Sequence, residues 1–406
     1  MLFSNIIGQQ EVKQHLVEMV MHNRLSHALL FLGKEGSGAL PLALAFANFV
    51  CLNPTDKKAP EPAASLFGEA LPTNPIPTAI TNAHEADAWM QQQPGFSKAS
   101  QMVHPDIHYT YPVITKKTGE KPISTQFITD WREFVKQYAY GNSFDWLQFI
   151  GADNKQGNIT AAECNDIIRK LSLKSFESPN KILVLWMPEY LEKEGNKLLK
   201  IIEEPPANTL FILVAESESQ ILPTILSRCQ LVKIPALENT AIATALEERA
   251  HINANQAHQI AGIAEGNYRE ALQLLQHAEE DWQNLLREWL NALLKTGPAA
   301  QVKWIEEIAK QGREKQKQFL RYFNHLLQQS IRLRIITTPL QMLENERDFA
   351  LRLNKLATID QQEAIIEELD KAAYYIERNA NAKMLFHALS IKLYHIIANK
   401  AVILIN

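Results

Sequence analysis

The sequence predicts an α/β domain, a parallel sheet flanked by helices, followed by an all-helical second half. Short, mostly apolar runs at 28–32, 182–187, 210–214 and 231–234 (the last interrupted by Lys233) have the length and composition of strands buried on both faces. Helical periodicities lie between them, the alternation expected of parallel strands joined by crossover helices. From about residue 236 the strand signals stop and only helical patterns remain.

The first run, Ala28-Leu-Leu-Phe-Leu32, ends in the glycine-rich turn Gly33-Lys-Glu-Gly-Ser-Gly38 and leads to a helical stretch over 40–50. Residues 52–103 break the pattern: they hold seven of the nineteen prolines and the Gln91–Gln93 run, and read as an inserted, loop-rich excursion. Thr160-Ala-Ala-Glu163 reads as a capping box that opens a helix. Cys164, Ile167, Ile168 and Leu171 then recur at helical spacing, which makes Cys164 a small core residue. In the second half, Ile359, Ala364, Ile365, Leu369, Ala372, Ala373 and Ile376 keep the period of a core-facing helix, and similar patterns fill 283–336 and 380–399. The expected division is a base over 1–235, a small helical unit over 236–280 and a separate bundle over 281–406.

Length and composition agree with this division. A chain of 406 residues exceeds one ordinary core, and 46% apolar with 21% charged residues is a globular composition. Forty-one Lys and Arg against forty-five Asp and Glu leave a net charge of -4, which argues against a protein that holds DNA alone by neutralising phosphates. Cys51, Cys164 and Cys229 lie too far apart for a four-thiolate metal site or a disulfide framework, and such sparse usage suits a reducing compartment. The first fourteen residues lack the pattern of a signal peptide, and the runs at 182–187 and 401–405 are too short to cross a bilayer. The expectation is a cytoplasmic protein without a resident metal or a membrane.

The turn after the first strand has the context of a phosphate-binding loop, G-x-x-x-x-G-K-[ST] between a strand and a helix. Gly33 and Gly38 keep the spacing and Gly36 lies between them, but the next two residues are Ala39 and Leu40. Alanine brings no charge to the β- and γ-phosphates, and leucine brings no oxygen to Mg²⁺. Lys34 lies too early in the loop to substitute. The acidic half of such a site belongs at the end of a later buried strand. The strand at 182–186 ends in Leu185-Trp-Met-Pro188 without a carboxylate, and Glu189 beyond it reads as a solvated helix-start residue. Both halves of the hydrolytic machinery are missing together, so the loop reads as degenerate and no nucleotide is expected in this chain.

The stretch from Asn196 to Gln230 is the most specific: Asn-Lys-Leu-Leu-Lys-Ile-Ile-Glu-Glu-Pro-Pro (196–206), Phe-Ile-Leu-Val (211–214), then Leu-Pro-Thr-Ile-Leu-Ser-Arg-Cys-Gln (222–230). It resembles the AAA+ clamp-loader family of DNA replication, as do Ile7-Gly-Gln9, Ser26-His-Ala-Leu-Leu30 and Gly266-Asn-Tyr-Arg-Glu-Ala-Leu272. The resemblance covers about residues 1–280. It implies an AAA+ P-loop-type base, a helical lid over 236–280 and a C-terminal collar for oligomerisation.

The departures at both ATPase motifs imply a non-hydrolysing member. In such a member Arg228, flanked by Ser227 and Cys229, reaches in trans to the γ-phosphate of a neighbour's ATP. The implied partners are ATPase subunits of the gamma/tau type, a delta subunit, the sliding clamp and primed DNA, with ATP and Mg²⁺ held by the neighbours. Arg269 falls where active relatives sense nucleotide; without Mg²⁺ ligands in the chain, a packing role between base and lid is expected instead. Relatives often carry a four-cysteine zinc module after the loop helix. Cys51 stands where its first ligand would be, no spacing supports His84, Glu85, Asp87 or His104 as ligands, and zinc is expected to be replaced by the 52–103 insertion.

Residues 303–334 carry Lys303, Lys310, Arg313, Lys315, Lys317, Arg321, Arg332 and Arg334 against Glu306, Glu307 and Glu314, with Trp304, Phe319, Tyr322 and Phe323 interleaved. This is either a DNA-facing surface or the solvated side of helices whose aromatics form the core. Two rival functions stay open at this level: a P-loop ATPase working through Lys34 and Glu189, and a free-standing AAA+ DNA-repair factor.

Overall fold

The computed structural model describes residues 1–53, 80–115, 121–152, 157–276, 282–335, 344–377 and 380–398. They fall into two compact units, one made of 1–254 and 264–270, the other of 255–263 and the described residues from 271 onward.

The first unit is built on five parallel strands: β1 (Ala28–Gly33), β2 (Ile107–Thr110), β3 (Lys181–Trp186), β4 (Thr209–Ala215) and β5 (Gln230–Ile234). Their order is β2-β3-β4-β1-β5. The side-chain period of two sends alternate residues into two cores, one on each face. Leu29, Phe31, Val184, Trp186, Ile212 and Val214 face the core that holds Leu42, Phe46 and Phe49 of the helix Ala39–Leu52. Leu30, Leu183, Leu185, Phe211 and Leu213 face the other, with Cys164, Ile167 and Leu171 of the helix Ala161–Ser172. Burial on both sides explains why β3 and β4 read as unbroken apolar runs. β5 is not buried on both faces as expected: at the sheet edge it exposes Leu231 and Lys233 and buries Val232 and Ile234.

Three other expectations change. β2 has only four residues, lies at the sheet edge and mixes His108 and Thr110 with its apolar residues, so it carried no apolar run. Within the supposed loop-rich insertion, residues 80–103 form the helices Ala83–Gln91 and Phe96–Ser100, while 54–79 lie outside the described residues. Asn82 caps the first of these helices by accepting from the Glu85 N–H, and Ala86, Trp89 and Met90 are buried, with the Trp89 indole edge-on to Phe49. Last, Thr160 caps its helix through the Glu163 N–H, but the Glu163 side chain does not return to close a capping box. It is fully buried and accepts from Thr110 Oγ1, Ser124 N and Ser124 Oγ at 2.8, 2.6 and 2.5 Å. Three donors satisfy this buried carboxylate where a single capping bond would not.

The second unit is helical, with Trp282–Asn291, Pro298–Lys310, Arg313–Ile335, Glu344–Leu356, Ile359–Glu377 and Ala382–Ala398 around one aromatic centre. Trp289 stacks on Trp304 at 4.8 Å, and Phe319, Phe323 and Phe386 surround them. The aromatics of the basic stretch are therefore core residues, and Lys317 is also buried, while Lys303, Lys310 and Arg313 remain exposed. Among the described residues, no helix is long and apolar enough to cross a membrane.

Candidate functional site

In parallel sheets, ligands bind outside the carboxyl ends of the strands. There β1 ends, and the chain turns through 33–38 into the helix Ala39–Leu52. Gly36 (φ +71°) and Gly38 (φ +88°) adopt the left-handed backbone that a phosphate loop requires. One donor such a loop would aim at an anion is nonetheless missing: Pro41, the third residue of the helix, has no N–H, while Leu42 N makes the first ordinary helical bond, to Gly38 O. The Ala39 and Leu40 side chains are buried in the core.

The chain itself closes the loop. A Cβ added at Gly36 would lie 1.8 Å from Asn267 Oδ1, so this glycine serves the close approach of the 264–270 segment. Tyr268 N donates to Gly36 O at 3.2 Å. Glu35, inside the loop, accepts from Arg269 Nη1, Asn267 Nδ2 and Asn142 Nδ2 at 3.0, 3.1 and 3.0 Å. Arg269 is 4% exposed and also donates Nε and Nη2 to the two oxygens of Asp145, at 2.5 and 2.6 Å. One buried guanidinium thus ties the loop to the first turn of the helix Ser143–Phe149, a bidentate geometry that suits arginine. The remaining cleft has a volume of about 20 Å³. That is room for roughly one or two waters, against the several hundred Å³ of an ordinary ligand pocket.

The acidic half is absent too. β3 ends in Trp186, 3% exposed, whose ring centroid lies 5.2 Å from that of Trp131, so an indole stands where a Mg²⁺-binding carboxylate would be needed. Glu189 is not the solvated residue the sequence suggested. Its Oε1 accepts from Glu216 N and Ser217 N at 2.7 and 2.9 Å, and burial pushes its pKa above the usual carboxylate range. Engaged with the backbone after β4, it is poorly placed to polarise a water. These residues do not fit a magnesium triphosphate.

Arg228 lies elsewhere in the same unit, just after the short helix Pro223–Leu226, with about a third of its side chain exposed. Ser227 Oγ donates to Thr224 O at 3.2 Å and accepts from Arg228 Nη1 at 3.0 Å. Cys229 is half-buried against the sheet, and burial pushes its thiol up to about 11, so it is a packing residue rather than a nucleophile. Cys51 is buried with its Sγ 3.4 Å from His104 Nδ1. Asp87 instead holds Phe3 N and Ser4 N, and among the described residues no three His, Cys, Asp or Glu form a cation site.

Sequence reasoning passed over Glu35, Asn142, Asp145 and Pro41. A carboxylate inside a phosphate loop and a proline just after it were visible signals; the partners of Glu35 lie 107 to 234 residues away.

Comparison with known proteins bears on the same elements. The family model described as "DNA polymerase III, delta subunit" matches residues 79–238. The chain is 24% identical over 273 residues to DNA polymerase III subunit delta' of Bacillus subtilis, covering 67% of this chain and 60% of that protein. It is 34% identical over 140 residues to subunit tau of the same organism, 33% of this chain and 24% of that protein. With subunit delta' of Haemophilus influenzae it shares 34% over 105 residues, 22% and 32% of the two chains. The matched stretches thus cover less than two thirds of these relatives' lengths.

Proposed function

We propose that the chain is a delta'-type subunit of the clamp-loader branch of the AAA+ proteins, one that hydrolyses no ATP and lends Arg228 to ATP held by a neighbouring subunit. The observation that carries this is the contrast between two sites of one unit. The chain's own phosphate loop is filled by the Glu35–Arg269–Asp145 cluster, while the Ser227-Arg228-Cys229 turn is intact and its guanidinium reaches the surface.

The chemistry is consistent on both sides. An ATP entering the loop after β1 would meet a carboxylate instead of a lysine, with almost no cavity to occupy. Arg228, in contrast, always carries charge and presents fixed donors, the properties that stabilise charge developing on a transferring phosphoryl group. In this reading the neighbours, ATPase subunits of the gamma/tau type and a delta subunit, supply ATP and Mg²⁺. The assembly places a sliding clamp on primed DNA.

The test is reconstitution with gamma/tau-type and delta subunits, comparing wild type with Arg228→Ala for DNA-dependent ATP turnover. The expected result is normal assembly with turnover lost at the site facing this chain. A finger of this kind is worth roughly 10³–10⁵ in rate at its own site. Normal assembly with wild-type turnover would overturn the reading.

A further inference from the structure

The two most specific motifs of the chain, the Glu-Glu-Pro-Pro turn and the Ser-Arg-Cys turn, form one ion pair in the folded protein. Glu203 is the last residue of the helix Leu199–Glu203, and Pro205 and Pro206 prevent that helix from continuing. Its carboxylate accepts from Arg228 Nε at 2.5 Å and pairs with Arg228 Nη2. Arg228 Nη1 donates to Thr224 O at 2.6 Å and to Ser227 Oγ at 3.0 Å. Both edges of the guanidinium are therefore engaged within this chain.

We propose that Glu203 is a gate on Arg228: it holds the guanidinium docked and neutralised on its own chain until the γ-phosphate of a neighbour's ATP displaces it. The inference rests on the reading of Arg228 as a donor in trans and adds a regulator to that same site. Three features support it. An acid at the C-terminal end of a helix is placed against the helix dipole, so Glu203 gains nothing from its own helix and its evident partner is Arg228. The pair is accessible, with about a third of Arg228 and under half of Glu203 exposed, so an arriving anion can reach it. An exposed ion pair is also weak, and a triphosphate carries more charge and more acceptor oxygens than one carboxylate. The exchange is then a competition: Glu203 must be displaced before Arg228 can bind phosphate. The carboxylate raises the ATP concentration needed to engage the finger without adding to the chemical step.

The experiment measures KM for ATP and kcat of DNA-dependent turnover in the reconstituted assembly for wild type, Glu203→Gln, Glu203→Ala, Arg228→Ala and Glu203→Gln with Arg228→Ala. Both Glu203 variants should lower KM about two- to five-fold, the range an exposed ion pair commands, with kcat unchanged. The double variant should match Arg228→Ala, because the gate acts only through the finger. An unchanged KM, a raised KM or a lowered kcat in both Glu203 variants would overturn the gate, the last two by making Glu203 a support for the finger. If Arg228→Ala assembles and turns over like wild type, the donor reading itself fails, whatever Glu203 does. A merely structural Glu203 would lower assembly or kcat and would not reduce KM.

Discussion

Removal of the Arg269 guanidinium would leave Glu35 and Asp145 without their common cation, in a site where each carboxylate is only about a fifth exposed. Breaking a fully buried pair in this way costs roughly 3–5 kcal/mol, and partial exposure of the two acids reduces that to about 2–4 kcal/mol. Arg269→Ala should therefore destabilise the first unit by that amount in urea titration. Arg269→Lys should recover little of it, because an ammonium cannot meet both oxygens of Asp145 and also reach Glu35. A lysine variant as stable as wild type would show that only the charge matters and that the fork geometry does not. Glu35 follows the same logic at lower cost, since it accepts from two neutral amides besides the cation.

The loop and its helix extend this to the scale of an element. Restoring the two missing residues, Ala39→Lys with Leu40→Thr, should not restore nucleotide binding. Glu35 still places a carboxylate in the loop, Pro41 still lacks a donor, Trp186 still ends β3 and the 264–270 segment still covers Gly36. Isothermal titration with Mg-ATP should show no binding by the double variant; micromolar affinity would mean that the cluster opens readily and that the loop is closed by composition alone. The departures at the loop and at the end of β3 were legible in the sequence because each depends on residue type at fixed spacing. The cluster was not, because it joins Glu35 to Asn142, Asp145 and Arg269 through tertiary contacts with no local pattern. The same division holds among the strands. β1, β3 and β4 carried continuous apolar runs, whereas the two edge strands did not: β2 has four residues and contains a histidine, and β5 contains Lys233. Glu189 was misread for a related reason: its two backbone donors come from the end of β4, 27 and 28 residues away.

For the whole molecule, the two units have hydrophobic clusters with no residue in common. The first is layered on a parallel sheet; the second is centred on the Trp289–Trp304 stack, where Trp289 Nε1 also donates to the buried Ser390 Oγ at 2.9 Å. Packing defects propagate through contiguous close-packed side chains, so a defect in one cluster is expected to open its own unit first. Trp289→Ala removes a fully buried indole, the stack and the bond to Ser390, and truncations of this kind cost roughly 3–5 kcal/mol. Hydrogen exchange should then show the helices Arg313–Ile335, Ile359–Glu377 and Ala382–Ala398 losing protection by several hundred-fold or more, while β1, β3 and β4 keep theirs. The contrast is measurable within one sample, because both sets of amides are read together. Parallel loss of protection in the sheet would mean that the two clusters unfold as a single cooperative body. The Glu35–Arg269 cluster would then depend on bundle packing as well as on its own charges.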